Sequence, residues 1–559
     1  MWKGEVDVKK WVPLFLCGAM LLGALSGCGP AAANGSPATP PAATAAGTPA
    51  GSGTPTAAGE PVYGGTLRIA VNRSINAKAL DPVFADGTAC DQVINQFGDN
   101  LVVLSPEGDT YLPSIATSWE ISDDGMTYTF QIRDDVHFQV GKYQDGRLLT
   151  AEDAAYSLNR AHAEAWWNYI PYFKSAEAVD DTTLVCHLEY ANALFLYDLT
   201  SPSGIMIPRE EVEGWGEEQF GSHPIGTGPF QVVEHVPDQY VKLEKNPNYW
   251  GVEPYLDGLI YYIIVDEAQN MNALSTGEID VSVNIAGDYI KQLKDNPKLV
   301  LAQGPQNRIA FCGYNMTHPI LSDKRVRDAL SMAVDRAQIV GAVYANGDGI
   351  ASALPIPVTC WAYDASLESL ALPYDVEGAK QLLAQAGYPN GFDIVLSVGQ
   401  SDAYVRAATI IQAMLSQIGV NVEIQSITPT EMTDRLLNNT VELFMRDGGQ
   451  GGSTDPASFV GNFLDSSKLH TNYNSWCYDN PETDKLVRAA AAETDQSVRV
   501  GLYQDLIREA MDANIGLFYA TINTSWGMQS NVNGYVLETG AVMRVSGLEG
   551  TGINMWLSK

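Results

Sequence analysis

Basic side chains are scarce in this chain: 33 Lys and Arg stand against 66 Asp and Glu, a formal net charge of −33 at pH 7. A surface of that sign repels phosphate backbones, which excludes a nucleic-acid partner, since that binding needs a basic face. It describes a soluble, self-repelling exterior, with attraction of cationic ligands as the sharper reading. Histidine is also sparse. The 7 His are scattered, and His223 and His235 flank an alternating run without the spacing of metal ligands. Cysteine offers no zinc pattern, neither CxxC nor Cys/His pairs. Cys17 and Cys28 lie near the N-terminus, leaving Cys90, Cys186, Cys312, Cys360 and Cys477. That number is odd, their connectivity cannot be read from spacing, and small buried residues are the expected identity for most. Catalytic motifs are missing too. There is no GxSxG elbow, no HExxH helix, no phosphate loop and no dinucleotide GxGxxG after a strand. Gly448-Gly449-Gln450-Gly451-Gly452 is glycine-rich but lacks a following Lys-Ser/Thr. The expectation is a protein that is not an enzyme and that uses neither cofactor nor metal.

Long apolar runs are rare as well. The stretch 12–24 is too short for a comfortable membrane span and suits the h-region of a signal peptide, preceded by Lys3, Lys9 and Lys10. It ends in Leu25-Ser26-Gly27-Cys28, which resembles a bacterial lipobox. Residues 1–27 are therefore expected to be a lipoprotein signal peptide, with Cys28 lipidated and the protein anchored to a membrane face without spanning it. Residues 28–62 are Ala, Gly, Ser, Thr and Pro with almost no bulky side chain, a flexible tether that cannot bury enough surface to offset its ordering entropy.

What remains is long enough for two or three domains. Strands are expected at 64–71, 128–132, 184–188, 261–265 and 279–283 from alternation at period two. The stretch 224–250 reads as a hairpin: a turn at Gly226-Thr227-Gly228-Pro229, runs at 230–236 and 240–245, then Asn246-Pro247-Asn248-Tyr249-Trp250. Helices are expected at 90–104, 151–160 behind a capping-box start at Thr150, 267–275, 323–340 behind Ser322, 376–386 and 403–418. Strands at 394–398 and from 420, helices at 482–493 and 497–513, and a strand at 517–528 complete a mixed α/β pattern. The 184–188 run is expected to return toward the hairpin. Arg327 and Asp335 read as structural ion-pair partners.

The 224–250 string resembles the signature of family 5 solute-binding proteins, the extracytoplasmic receptors of peptide and nickel ABC importers. Further motifs agree in order: Trp119, Asp123-Asp124-Gly125, Val136-His137-Phe138, Leu149-Thr150-Ala151-Glu152-Asp153-Ala154, and Arg325-Val326-Arg327-Asp328-Ala329-Leu330 with Ala333-Val334-Asp335-Arg336. The resemblance implies an α/β, two-lobe periplasmic-binding-protein fold of the large type, with mixed sheets and flanking helices. Lobe I would be 63–304 plus 520–559, with an inserted subdomain at about 109–180, and lobe II 305–519. The hinge would be crossed twice, near 304 and 520. The implied function is a monomeric extracytoplasmic receptor that captures an oligopeptide or dipeptide between its lobes and hands it to ABC permease subunits with their ATPases. Nickel or a metallophore, an opine-like derivative or an oligosaccharide remain alternatives, as does a ligand-presenting signalling receptor.

Ligand contacts should come from loops facing the cleft. In peptide-binding relatives the loop at 444–456 carries a Trp and then an Asp that pairs with the peptide's α-amino group. Here the Trp position falls on Gly448 or Gly449 and the Asp position on Gly452, while Asp455-Pro456 is kept. Arg446, Asp447, Gly448, Gly449 and Gln450 are the candidates: glycines to bring backbone N–H groups close to a ligand, Asp447 as a displaced carboxylate, and Arg446 as an anion clamp. Arg446 paired with Asp447 is the competing reading. Trp361 and Tyr363, after the Pro355-Ile356-Pro357 turn, form a second candidate cluster, with core packing as the alternative. Trp166, Trp167, Tyr169 and Trp476 read as packing residues.

Overall fold

The protein was analysed as a computed structural model, which describes residues 59–85, 87–165, 172–285, 287–449, 453–471, 473–538 and 542–559. The signal segment, Cys28, the tether up to residue 58, Trp166, Trp167, Tyr169 and Gln450 lie outside the described residues.

A mixed 11-stranded sheet organises the molecule. At its centre Leu299–Tyr314 and Gly516–Gln529 pair antiparallel along most of their length, from Leu299 opposite Gln529 to Gly313 opposite Gly516. Sixteen residues at about 3.3 Å each make the first strand roughly 50 Å long, enough to traverse two cores. The pairing slips between Pro305 and Ile309, where proline cannot donate to the ladder. On one side of this slip Trp526 and Met528 join Ile69, Phe97, Phe230 and Tyr261 in one core. On the other side Cys312, Tyr314 and Tyr519 join Leu330, Leu396 and Ile411 in a second, and Phe311 and Phe518 join Phe444, Phe463 and Trp476 in a third. Trp476 is thus a packing residue, as expected.

Beyond the central pair, Thr66–Val71 runs parallel to Gly258–Ile263, and the hairpin Phe230–Val236 with Tyr240–Lys245 closes that edge. The hairpin has the expected limits, and its turn needs Asp238 at φ 59. On the far side Asp393–Gly399 lies parallel to both Asn421–Ile427 and Leu443–Gly448. Parallel neighbours require crossover connections, supplied here by helix Asp402–Ser416 and helix Pro429–Leu437.

A separate antiparallel sheet orders Ala116–Ile121, Thr127–Ile132, Thr183–Leu188 and Phe173–Asp180. Helix Ala151–Glu164 covers it, opened by a capping box between Thr150 and Asp153. The run at 184–188 therefore does not return to the 230–245 hairpin; it pairs with its neighbours in this smaller sheet.

Other departures have local causes. The expected helix at 90–104 ends at Phe97, because Gly98 turns extended and lies so close to Ile205 that a Cβ would sit 2.3 Å from its Cγ2. Leu101 is still buried, and Val102–Leu104 forms a strand. The helix expected at 323–340 is two, Lys324–Met332 and Arg336–Val343, and Asp323, not Ser322, caps the first. Asp335 restarts the chain by accepting from Gln338 N, so Ala337 is exposed. Arg327 is structural but not an ion-pair partner of Asp335. Its guanidinium donates to the carbonyls of Leu321, Ser322, Ala513 and Asn514, tying two helix ends together. The five described cysteines are buried and form no disulfide with one another.

Candidate functional site

Side chains alternate along Leu443–Gly448. Leu443 and Met445 enter the second core with Ala310 and Cys312, whereas Phe444 enters the third with Phe311. Arg446 and Asp447 consequently leave the strand on opposite faces and do not pair with each other. Asp447 forms an ion pair with Arg308 of the neighbouring long strand, and Arg446 Nη1 donates to Ser475 Oγ at 3.3 Å.

Asp447 and Arg308 line a cavity of about 270 Å³ where the two long strands pass from one core to the next. The slipped segment contributes Gln306 and Arg308, and the partner strand contributes Ile522, Asn523, Thr524 and Ser525. Asn284, Ile285, Gly287, Tyr344, Asp348, Ser401, Ala403 and Tyr404 complete the lining. Residues more than 230 positions apart in sequence meet here only because both long strands cross at this point.

The cavity is polar and carries both signs of charge. Burial pushes the Tyr404 hydroxyl pKa up, and the charges of Arg308 and Arg446 pull it down. Burial lowers the Arg446 pKa, while Tyr404 opposes that shift. Asp348 is pushed above the usual carboxylate range, chiefly by burial. Three buried acceptors on the wall have no hydrogen-bond partner among the described residues: Asp348 Oδ1, Asn523 Oδ1 and Thr524 Oγ1. Buried polar atoms of this kind ordinarily have a partner, so they point to a ligand or solvent.

Gly448 and Gly449 have a packing role in the strand end. Gly449 adopts φ 143, and a Cβ there would lie 2.1 Å from the Asn307 carbonyl oxygen. At Gly448 a Cβ would crowd the rings of Phe311 and Phe463 at 3.1 and 3.2 Å. Both let the strand end close onto Leu299–Tyr314. Where the chain is described again, Thr454 Oγ1 donates to Gly108 O at 2.5 Å, joining the loop to the turn before Tyr111–Pro113.

Trp361 and Tyr363 do not line this cavity. Trp361 N donates to Thr454 O at 3.2 Å, and its ring meets Tyr503 edge-on at 5.7 Å. The Arg499 guanidinium sits 5.2 Å from the Trp361 ring and bonds Asp455 at 2.8 Å, with both charged side chains less than a tenth exposed. Trp361 thus braces the loop from behind. The Tyr363 hydroxyl is taken by Glu368 Oε1 at 3.3 Å, and burial pushes its pKa up to about 12. Of the residues singled out from the sequence, Asp447 lines this cavity; Arg308, Asp348, Tyr404, Asn523 and Thr524, which line it too, were not among them. The proline at 305 was the available signal, marking a break in a strand, yet no local pattern shows which strands converge on it.

Known proteins show the same architecture. The family model described as "Bacterial extracellular solute-binding proteins, family 5 Middle" matches residues 110–470. A curated relative, heme-binding protein A of Haemophilus influenzae, is 31% identical over 449 residues, covering 75% of this chain and 80% of that protein. The dipeptide-binding protein of Escherichia coli is 29% identical over 484 residues, covering 82% and 89%. Among solved structures, an ABC transporter-associated periplasmic binding protein from Helicobacter pylori, in complex with peptide STSA, superposes with TM-score 0.74 at 25% identity over 89% of this chain and 99% of that one.

Proposed function

From the premise that this chain belongs to the bacterial extracellular solute-binding proteins of family 5, we propose that the solute it captures is a short peptide. The family consists of non-catalytic, extracytoplasmic binding components of ABC importers, and this protein is one of them. Peptide binders are the most common relatives, alongside binders of heme, of a nickel–histidine complex and of opines.

The observation that carries the peptide reading is the pairing of opposite polarities in one small cavity. A short peptide is a zwitterion with a carboxylate for Arg308 and an ammonium for the carboxylate and amide oxygens. About 270 Å³ lies near the lower end of ligand pockets, matching a solute of a few residues. In this reading lobe I comprises 63–304 plus 520–559 and lobe II 305–519. The two long strands are the hinge, and lobe closure on the peptide creates the form that the permease recognises. Lipidation of Cys28 holds the receptor at the outer face of the cell membrane.

Native mass spectrometry of the purified protein tests the reading, because a receptor of this kind retains a tightly bound solute through purification. A bound mass that fragments as a peptide supports it. A metal complex, sugar or opine in the site replaces it.

A further inference from the structure

The smaller antiparallel sheet and the third core meet at two separate points. At the first, the turn after Thr183–Leu188 sends two adjacent side chains into different cores. Phe195 is fully buried with the smaller sheet, its ring 4.7 Å from that of Tyr128, whereas Leu194 packs against the third core. Asn192 shapes the turn by accepting from Leu194 N at 3.0 Å. Beside them Ala193 N donates at 2.9 Å to Ala491 O, in the last turn of helix Pro481–Ala492. Carbonyls so near a helix end lack a partner within the helix, so this one is satisfied from the other body. At the second point Thr454 Oγ1 donates to Gly108 O at 2.5 Å, and Thr454 is only 2% exposed. Gly108 precedes Tyr111, which packs on the same core as Phe195, and Thr454 precedes Ala457 and Phe459 of the third core. A groove of about 590 Å³ lies beside the first contact, with Asp123, Asp124 and Ala191 from one body and Ala492, Glu493 and Thr494 from the other.

We propose that these two contacts form a clasp, opening and closing as a unit, that favours the closed form of the protein even when no solute is bound. The proposal rests on the reading of the two long strands as a hinge and adds a device that sets its resting position. None of the clasp residues lines the cavity at Arg308, so the clasp acts away from that site. Its composition suits a reversible contact. A permanent interface buries a continuous apolar area, whereas here a polar groove lies open beside one leucine and two hydrogen bonds. Parting the bodies exposes that leucine and gives the freed donors and acceptors to water, a modest cost for each. Lys468 and Asp455 also act on Asp198 across the contact, but with opposite signs. The long strands that join the bodies slip in register between Pro305 and Ile309, and such breaks in a ladder are where strands bend. Contacts made only in the closed form shift the empty protein toward it, so solute affinity is set in part by residues that lie outside the cavity.

Hydrogen exchange of the full-length protein, stripped of solute by unfolding and refolding, tests the clasp in wild type, Leu194→Ala and Thr454→Val. Exchange is read at single amides by mass spectrometry with electron-transfer fragmentation, and the reporter is the Ala193 amide. It is expected to exchange about tenfold faster in Leu194→Ala and about threefold faster in Thr454→Val. Amides of Thr66–Val71 and Asp393–Gly399, inside the large sheet, should keep their wild-type rates in both variants. Thr454→Val is the decisive change, because Thr454 sits at the other contact and reaches Ala193 only if both open together. It is nearly isosteric and carries the test alone if Leu194→Ala does not fold. A wild-type rate for Ala193 in Thr454→Val would make the contacts independent and overturn the clasp. Equal acceleration at Ala193 and in the two strands would reflect global unfolding and overturn it as well. Neither failure touches the peptide reading, since no solute is present and native mass spectrometry tests that reading separately.

Discussion

Trp250 Nε1 donates to Asp99 Oδ2 at 2.9 Å across 151 positions of sequence. Thr227 Oγ1 donates to the same oxygen at 2.9 Å, and the Tyr249 hydroxyl reaches the other at 3.5 Å. The turn that opens the 230–245 hairpin and the aromatic cluster that closes it therefore converge on one carboxylate. Burial raises the Asp99 pKa to about 6, against the three donors that lower it. Removing the carboxylate takes the acceptor away from the Trp250, Thr227 and Tyr249 donors. Asp99→Ala is expected to lower unfolding free energy by about 1–3 kcal/mol in urea denaturation, with a much smaller loss for Asp99→Asn. Equal losses for both variants would show that the donors do not depend on an acceptor here.

Asp198 gives the protein a pH dependence of opposite sense to that of a salt-bridged carboxylate. Burial raises its pKa to about 7, while the Tyr172 hydroxyl and Lys468 pull it down and Asp455 pushes it up. The folded state thus keeps a proton that the unfolded chain releases near pH 4. Its contribution to stability is complete below about pH 4 and is lost as pH rises through about 7. The stability difference between wild type and Asp198→Asn should therefore change with pH by on the order of 1 kcal/mol per unit between pH 4 and 7, then level off. A pH-independent difference would mean that Asp198 is ionised throughout.

Arg308 is expected to act on affinity and not on folding. Its pair with Asp447 is partly exposed, with side chains 42% and 22% accessible, and such pairs contribute only ~0–1 kcal/mol. Arg308→Gln should weaken calorimetric binding of a peptide with a free C-terminus by about tenfold or more while leaving the melting temperature of the empty protein nearly unchanged. The C-terminal amide of the same peptide should bind both forms alike. A comparable loss with the amide would place the carboxylate elsewhere.

Gly449→Ala tests the strand closure beside the cavity. The residue adopts φ 143, and its Cβ would overlap the Asn307 carbonyl oxygen, so the chain has to shift. A cost of about 1–3 kcal/mol in unfolding free energy is expected. Wild-type stability in this variant would show that the strand end adjusts freely.

Cys28→Ser should move the protein from the membrane to the soluble fraction on cell fractionation, because the acyl chains are its proposed attachment. Continued sedimentation with membranes would remove Cys28 as the anchor.

Much of the fold is legible locally. The hairpin limits and the helices starting at Glu267 and Val376 follow from alternation, caps and terminal glycines, interactions that span only a few residues. Gly98 shows where such reading stops. Its neighbours have helical spacing, but the approach of Ile205 from a distant segment ends the helix. The site is harder still. Asp447 could be singled out from its unusual loop, whereas Arg308, Asp348 and Thr524 carry no local mark.

The amino-acid sequence by itself determined the solvent sign and the alternation and capping of most elements, which depend on total charge and short-range periodicity. The family was legible as well, through the resemblance of its motifs in their order. Tertiary structure decided that Arg446 and Asp447 face apart, that Gly449 serves strand packing, and that Trp361 braces a loop. It also brought Arg308 and Asp447 together with Asp348, Asn523 and Thr524 around one cavity. Two long strands make that meeting by pairing antiparallel from opposite ends of the second half of the chain, and no short-range pattern encodes which residues they carry past one another.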